Sequence, residues 1–350
     1  MKLSRPQRPF LVAAALAFTF TVGLLGQAAK PTGAKLAEAA NAFLGTLPAD
    51  LRAKAAFKFD DAHRTEWYFT PQQDNAKRTS TRKGVRMDAL NDDQKTAVTN
   101  LLKAGLSTKG FDQATTIMSL EGVLLELEGP KGAMVRNPNW YFVSIFGEPS
   151  NTGPWAWRFE GHHMSINVTL DGGEIVSATP MMFGSNPAEV KDGPKKGLRT
   201  LPEIEDLARE LIKGLSDEQS KVAKQSKQLP EIKEKQANAD VGEPVGIAHS
   251  KLTDEQGKVL WSLVEAYANR IPTDAAAEEL NRVKAAGLDK ITFAYAGDPT
   301  PGKGYTYRIH GPTFVVEFLN LQADGAKNPA NHIHSAWRRL PADFSVKGKS

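Results

Sequence analysis

Apolar side chains recur every three to four residues between positions 31 and 59 (Leu36, Ala39, Ala40, Phe43), the spacing of one helix face. Leu47-Pro48 interrupts that run, since proline removes a helix donor, and Asp50 is placed to cap a second helix with Leu51, Ala55 and Phe59 along one side. The same period predicts helices over 202–213, 216–228 and 253–270, the last with Val259, Leu260, Leu263, Val264 and Tyr267 toward a core. Three helix starts share one device: Leu90-Asn-Asp-Asp-Gln94, Leu215-Ser-Asp-Glu-Gln219 and Leu252-Thr-Asp-Glu-Gln256. Asn91, Ser216 and Thr253 accept from the first free amides, the glutamine three residues on returns the bond, and two acids sit where the helix dipole favours them. The unequal spacing of the three does not make a solenoid.

Other stretches lose the helical period. Trp140 to Phe146 is an apolar run between Pro138 and Gly147-Glu-Pro149, the mark of a buried strand, and the loop after it leads into a second strand as in a hairpin. Asp171-Gly-Gly173 is a hairpin turn into a strand over 175–182. Strands are expected over 291–296, 305–310 and 313–319, with a short one at Trp67-Tyr68-Phe69 inside the polar stretch 64–86. The apolar stretch 117–127 reads as a central element, 184–200 as a Gly-, Pro- and Lys-rich loop rimming a site, and 230–244 as a charged connection. Together these predict an α+β fold, a largely antiparallel sheet with surrounding helices, in a single domain over 29–350.

The first 28 residues have a different character. Lys2, Arg5 and Arg8 precede an apolar run from Phe10 to Leu25, and Gly26-Gln27-Ala28 then offers small residues for cleavage, the pattern of a signal peptide. The run falls short of the roughly 20 residues a spanning helix needs, which favours a cleaved leader over a retained anchor. The mature protein is therefore expected to be exported, periplasmic or secreted, with no membrane partner. The chain holds 44 basic and 40 acidic residues, and three of the basic ones lie in the leader. The remaining Lys and Arg are scattered rather than striped, so no nucleic-acid partner is expected. Cysteine is absent, which excludes disulfides, thiolate ligands and cysteine nucleophiles.

Candidate chemistry concentrates in Trp155-Ala-Trp-Arg-Phe-Glu-Gly-His-His-Met-Ser-Ile-Asn167 and in Asn331-His-Ile-His334. Read as one strand, the first puts Met164, Ile166, Val168 and Leu170 on a core face and His163, Ser165, Asn167 and Thr169 on a polar face. His162 and Glu160 then fall with the core set, and a bulge at Gly161 is needed to bring both histidines to one centre. His332 and His334 share a face on a strand, whereas on a helix they diverge by about 200°. A His-x-His pair plus a ligand from another strand leaves an open position on a cation. His162, His163, His332 and His334 are thus candidate ligands for a divalent transition metal, and without thiolates zinc, copper and iron all fit.

Glu317, within Phe314-Val-Val-Glu-Phe318, is a carboxylate on a buried strand that needs a partner. That partner is either a metal, beside which it serves as ligand or general base, or Arg308 or Arg338. Trp157, Glu160, Asn167, Arg308 and Arg338 are candidates for holding a small-molecule ligand; the competing readings are a core tryptophan and structural ion pairs. For the histidines the competing reading is one satisfied in the core and one on the surface. No phosphate-binding loop, dinucleotide fingerprint, Gly-x-Ser-x-Gly elbow or zinc-protease helix occurs.

Taken with Ile145-Phe-Gly-Glu-Pro-Ser150, Arg308-Ile-His-Gly-Pro312 leading into Val316-Glu317, and Arg338 and Asp343, these motifs resemble the bacterial family called domain of unknown function 3500. The resemblance covers most of the chain beyond the leader. It implies one continuous module without a known reaction, and it makes the two histidine clusters parts of one pattern. Two functions follow as expectations: an exported metal-dependent enzyme, hydrolytic or oxidative, or a non-catalytic exported binding protein with an aromatic and histidine-lined cleft. Convergence of the two clusters to metal-bridging distance favours the first.

Overall fold

A computed structural model describes residues 32–344; the expected leader lies outside them. Helix α1 (Thr32–Thr46) buries Leu36, Ala37, Ala40, Phe43 and Leu44, and the proline break separates it from α2 (Ala49–Ala55). Strand β1 (Ala56–Phe57) and strand β2 (Val85–Arg86) precede α3 (Asp92–Gly105) and α4 (Thr108–Glu128). Strands β3 (Tyr141–Phe146), β4 (Trp155–Gly161), β5 (Met164–Asp171), β6 (Glu174–Ser177) and β7 (Met181–Phe183) come next. After them stand α5 (Pro202–Gly214), α6 (Asp217–Ala223), β8 (Ile247–Ala248), α7 (Asp254–Ala268) and α8 (Thr273–Ala286). The chain closes with β9 (Thr292–Gly297), β10 (Tyr305–Gly311), β11 (Phe314–Gln322) and β12 (His332–Arg339). All three anticipated capping boxes form, on Asn91, Ser216 and Thr253.

Several elements differ from the sequence reading, each for a tertiary reason. The histidine stretch is two strands: β4 and β5 form a hairpin whose turn is His162-His163, closed by the Gly161–Met164 pair, with His163 at φ 62°. Gly161 therefore ends a strand instead of bulging, and a Cβ there would stand 2.4 Å from the Tyr141 ring. Helix α2 starts at Pro48 without a side-chain cap and stops before Phe59, because Ala56-Phe57 joins β3 in parallel pairing. Helix α6 likewise ends at Ala223, and Lys224 bridges Tyr295. Residues 66–69 form no strand. Amides there turn to side chains instead, Tyr68 donating to Glu160 and Phe69 to Glu234, so no ladder is built. The strand expected over 175–182 is broken at Ala178-Thr179-Pro180 into β6 and β7. Helix α8 was not anticipated, since only Ala276, Glu279 and Val283 of it are buried.

Twelve strands form one mostly antiparallel sheet, ordered β1-β3-β4-β5-β7-β12-β11-β10-β9-β8, with β2 beside β3 and β6 beside β5. Outward from the β7–β12 centre, β5-β4-β3 on one side mirrors β11-β10-β9 on the other, with β2 beside β3 as β8 is beside β9, and the segment from α1 to β5 is repeated by that from α5 to β11. Trp157-Arg-Phe-Glu-Gly161 matches Tyr307-Arg-Ile-His-Gly311, with Arg158 opposite Asn167 and Arg308 opposite Glu317 at the same register. Gly84 and Gly246 open the two equivalent cap segments at φ 104° and 94°. A Cβ would meet the Val143 carbonyl at 3.0 Å from the first and the Phe293 carbonyl at 2.2 Å from the second. The cap glutamines act alike too: Gln94 donates to the Thr46 carbonyl (3.0 Å) and Gln256 to that of Gly214 (2.6 Å). Both join a helix start to the end of the second helix before it.

The sheet's faces are chemically opposed, as the period-two pattern requires. Met164, Ile166, Val168 and Leu170 join the main core with residues of the helices. The other face carries buried Arg158, Glu160, Ser165, Asn167, Arg308, Glu317 and Arg338. Irregular segments, 58–84 and 224–246, cover it. Arg158 donates to the carbonyls of His63 and Glu66 (both 3.0 Å), Arg308 to Val241 (2.8 Å) and Arg338 to Gln236 (2.9 Å). The covering chain thus has its backbone acceptors satisfied by strand arginines, with a small apolar cluster of Trp67, Phe69, Met182, Ile232, Leu319, Ala336 and Phe344 beneath it.

Candidate metal centre

Three histidines meet at one end of the sheet. His163 stands on the β4–β5 turn, where its N–H donates to the Phe69 carbonyl and its own carbonyl accepts from Gly184, both at 2.7 Å. Gly184 is required there: a Cβ would lie 2.7 Å from the Ile333 carbonyl and 3.1 Å from the His163 ring. His332 and His334 project from one face of β12, as alternate strand residues do. A register shift between Asn320 and Gln322 in β11 lies opposite His332, whose N–H donates to the Asn320 side chain at 3.1 Å. One nitrogen from each of His163, His332 and His334 lies within 4.8 Å of the other two, and the Nε2 atoms of His163 and His332 are 2.7 Å apart.

The far nitrogen of two rings is engaged, which fixes how they face. His334 Nδ1 lies 3.0 Å from the Glu231 carboxylate, and His332 bonds the backbone of Ala323. His332 Nε2 faces the cluster, where it meets His163 Nε2. Burial pushes the Glu231 carboxyl up, but the hydrogen bond and charge of His334 and the Ile232 amide together outweigh it and leave the carboxyl below its ordinary value. Burial, with neighbouring imidazoles adding to it, lowers His163 far below the ordinary histidine value and His332 to about 2. Both rings are therefore neutral, the form that offers a lone pair to a cation.

His162 does not join the three directly. Its ring stacks on His163 with centroids 3.7 Å apart, while its Nδ1 meets the Glu121 carboxylate and lies 3.0 Å from Arg136. Arg136 in turn is held by Glu128 at 2.8 and 2.9 Å. The contact with Glu121 raises the His162 value, but burial outweighs it, so this ring too is shifted downward.

Other residues singled out in the sequence lie elsewhere. Trp157 is in the main core against Gly105, where a Cβ would come within 2.2 Å of the ring. Glu160 pairs with Arg82 at 3.1 Å and accepts from the Tyr68 amide, and Asn167 accepts from Arg158 at 2.6 Å. Glu317 faces Arg308 at 3.4 Å, and Arg338 is bonded to Asp343 at 2.6 Å. Burial raises the Glu317 carboxyl, with Arg308 and Arg338 opposing. These groups hold the covering segments, and none is brought to the three imidazoles. Glu231 touches His334, Phe69 and Gly184 bond the His163 backbone, and Glu121 meets His162; of these only Gly184 fell in a stretch read as rimming a site. Glu231 sits in a charged connection without periodicity, and its role exists only once that segment lies over β12.

Three imidazoles on a turn and a strand, two of them with a ring nitrogen held by the surroundings, are a donor set of the kind a tetrahedral cation with one open position takes. Among the described residues no helix is long and apolar enough to cross a membrane. Neither a curated protein nor a solved structure matches the chain. The family model described as a protein of unknown function (DUF3500) matches residues 29–346, nearly the whole chain, and the chain belongs to that family.

Proposed function

We propose that this protein is an exported metal-dependent enzyme acting on a small molecule, with a divalent transition metal on His163, His332 and His334. The observation that carries the reading is the convergence of one nitrogen from each of the three histidines within 4.8 Å, from a turn and a strand 169 residues apart in sequence. Tetrahedral coordination at about 2.0–2.1 Å per nitrogen spaces the donors roughly 3.3–3.4 Å apart, so binding requires the 2.7 Å His163–His332 contact to open and the wider separations, up to 4.8 Å, to close. Zinc, copper and iron all suit an all-imidazole set, and hydrolytic or oxidative chemistry follows from which is bound. A bound metal would supply Lewis acidity or redox capacity at its open position; the chain's part is to orient the imidazoles, with His163 and His332 held neutral. Export rests on the basic-then-apolar leader pattern of residues 1–28.

Elemental analysis of untagged protein against a His332→Ala/His334→Ala double variant tests this. Near-stoichiometric metal in the first and none in the second supports it and names the cation. No metal in either, even after reconstitution with zinc, copper and iron, overturns it and leaves a non-catalytic binding protein as the better account.

A further inference from the structure

The core holds a charge that the metal centre does not use. Arg270, just past α7, is 0% exposed, and none of its three side-chain nitrogens has a hydrogen-bond partner among the described residues. The other fully buried arginines are treated differently: Arg158 reaches three carbonyls and Asn167, and Arg338 reaches Asp343 and a carbonyl. Arg270 instead lies over two rings, with its guanidinium carbon 4.9 Å from the centroid of Phe183 and 4.5 Å from that of Tyr267.

Two rings do not offset that burial. A cation–π contact recovers only part of what removing an ion from water costs. The ionisable groups acting on Arg270 are Tyr267 and Tyr307, and burial keeps both phenols protonated. Tyr267 is hydrogen-bonded to Tyr307 at 2.7 Å, and Tyr307 to the Ile204 carbonyl at 3.1 Å, so these hydroxyls are already committed. Lys109, which feels the same charge, has its own partner in Glu203.

We infer that Arg270 holds a small monovalent anion, of the size and charge of chloride, where the two halves of the repeat meet. The position is at that seam because the turn between α3 and α4 binds it: Ser107 donates to the carbonyls of Arg270 (2.9 Å) and Asn269 (2.6 Å). An anion there satisfies the N–H groups and cancels the buried charge together, whereas water does only the first.

The test uses the full chain crystallised with bromide in place of chloride. An anomalous peak within hydrogen-bond distance of the Arg270 side chain is expected. In solution, replacing gluconate by chloride at constant ionic strength is expected to raise the thermal midpoint of the wild type and not that of Arg270→Met. Water without anomalous signal at Arg270 overturns the inference, as does an equal chloride response in Arg270→Met. The crystal measurement uses the wild type alone, so it decides the matter even if Arg270→Met does not fold.

Discussion

A histidine ligand is defined as much by the nitrogen that does not bind as by the one that does. At His334 that outer nitrogen belongs to Glu231, on a covering segment far from β12 in sequence. Replacing Glu231 with Gln keeps the shape but weakens the acceptor, and metal affinity is expected to fall by about 10–100-fold. Competition against a chelator of known affinity measures this; an unchanged affinity, with the far-ultraviolet spectrum also unchanged, contradicts the assignment. His63 makes a separate prediction at the same scale. It packs against Phe57 and Phe146, and burial first, then Arg158, lower it to about 4 from 6.5. The unfolded chain therefore takes up a proton that the folded one refuses. The stabilisation is complete above about pH 6.5 and is lost as pH falls from there toward 4. The midpoint of His63→Gln should decline less than that of the wild type between pH 7 and 4.5; parallel curves contradict this.

At the scale of elements, the residues that spoke clearly in sequence were those acting within their own segment. The three capping boxes are local hydrogen bonds four residues wide, and all three were legible. So were β3, β10 and β11, whose apolar runs are bounded by Gly and Pro. The His162-His163 turn was not legible, because it lacks the Asn-Gly or Asp-Gly chemistry of a tight hairpin and its neighbours read continuously as strand. The ends of α2 and α6 are set by pairing with β3 and β9, which no local pattern carries. The repeat was hidden similarly: its cap segments were seen, but their equivalence lies in what Gln94 and Gln256 reach. Each cross-links a helix start to an earlier helix end, so Gln94→Ala and Gln256→Ala should each cost about 1–2 kcal/mol in urea unfolding, by similar amounts. A loss at one site only argues against equivalent roles.

Over the whole molecule, the candidate centre joins parts that nothing local connects. His163 comes from the first half, whereas His332 and His334 come from the strand that follows the second half and pairs with β7 at the middle of the sheet. A cation there binds only the folded chain, and at a thousandfold excess over its dissociation constant it adds about 4 kcal/mol to stability. Metal-loaded protein should therefore melt higher than chelated protein, and His334→Ala should lose that difference. The four candidate ligands were legible as residue types and spacing; that three converge while His162 turns to Glu121 was not, since it depends on the turn. The most direct test of the account is X-ray absorption on the zinc-loaded full chain. It predicts three imidazole scatterers at about 2.0–2.1 Å. A first shell without imidazole scattering, or one unchanged in His163→Ala, would contradict it.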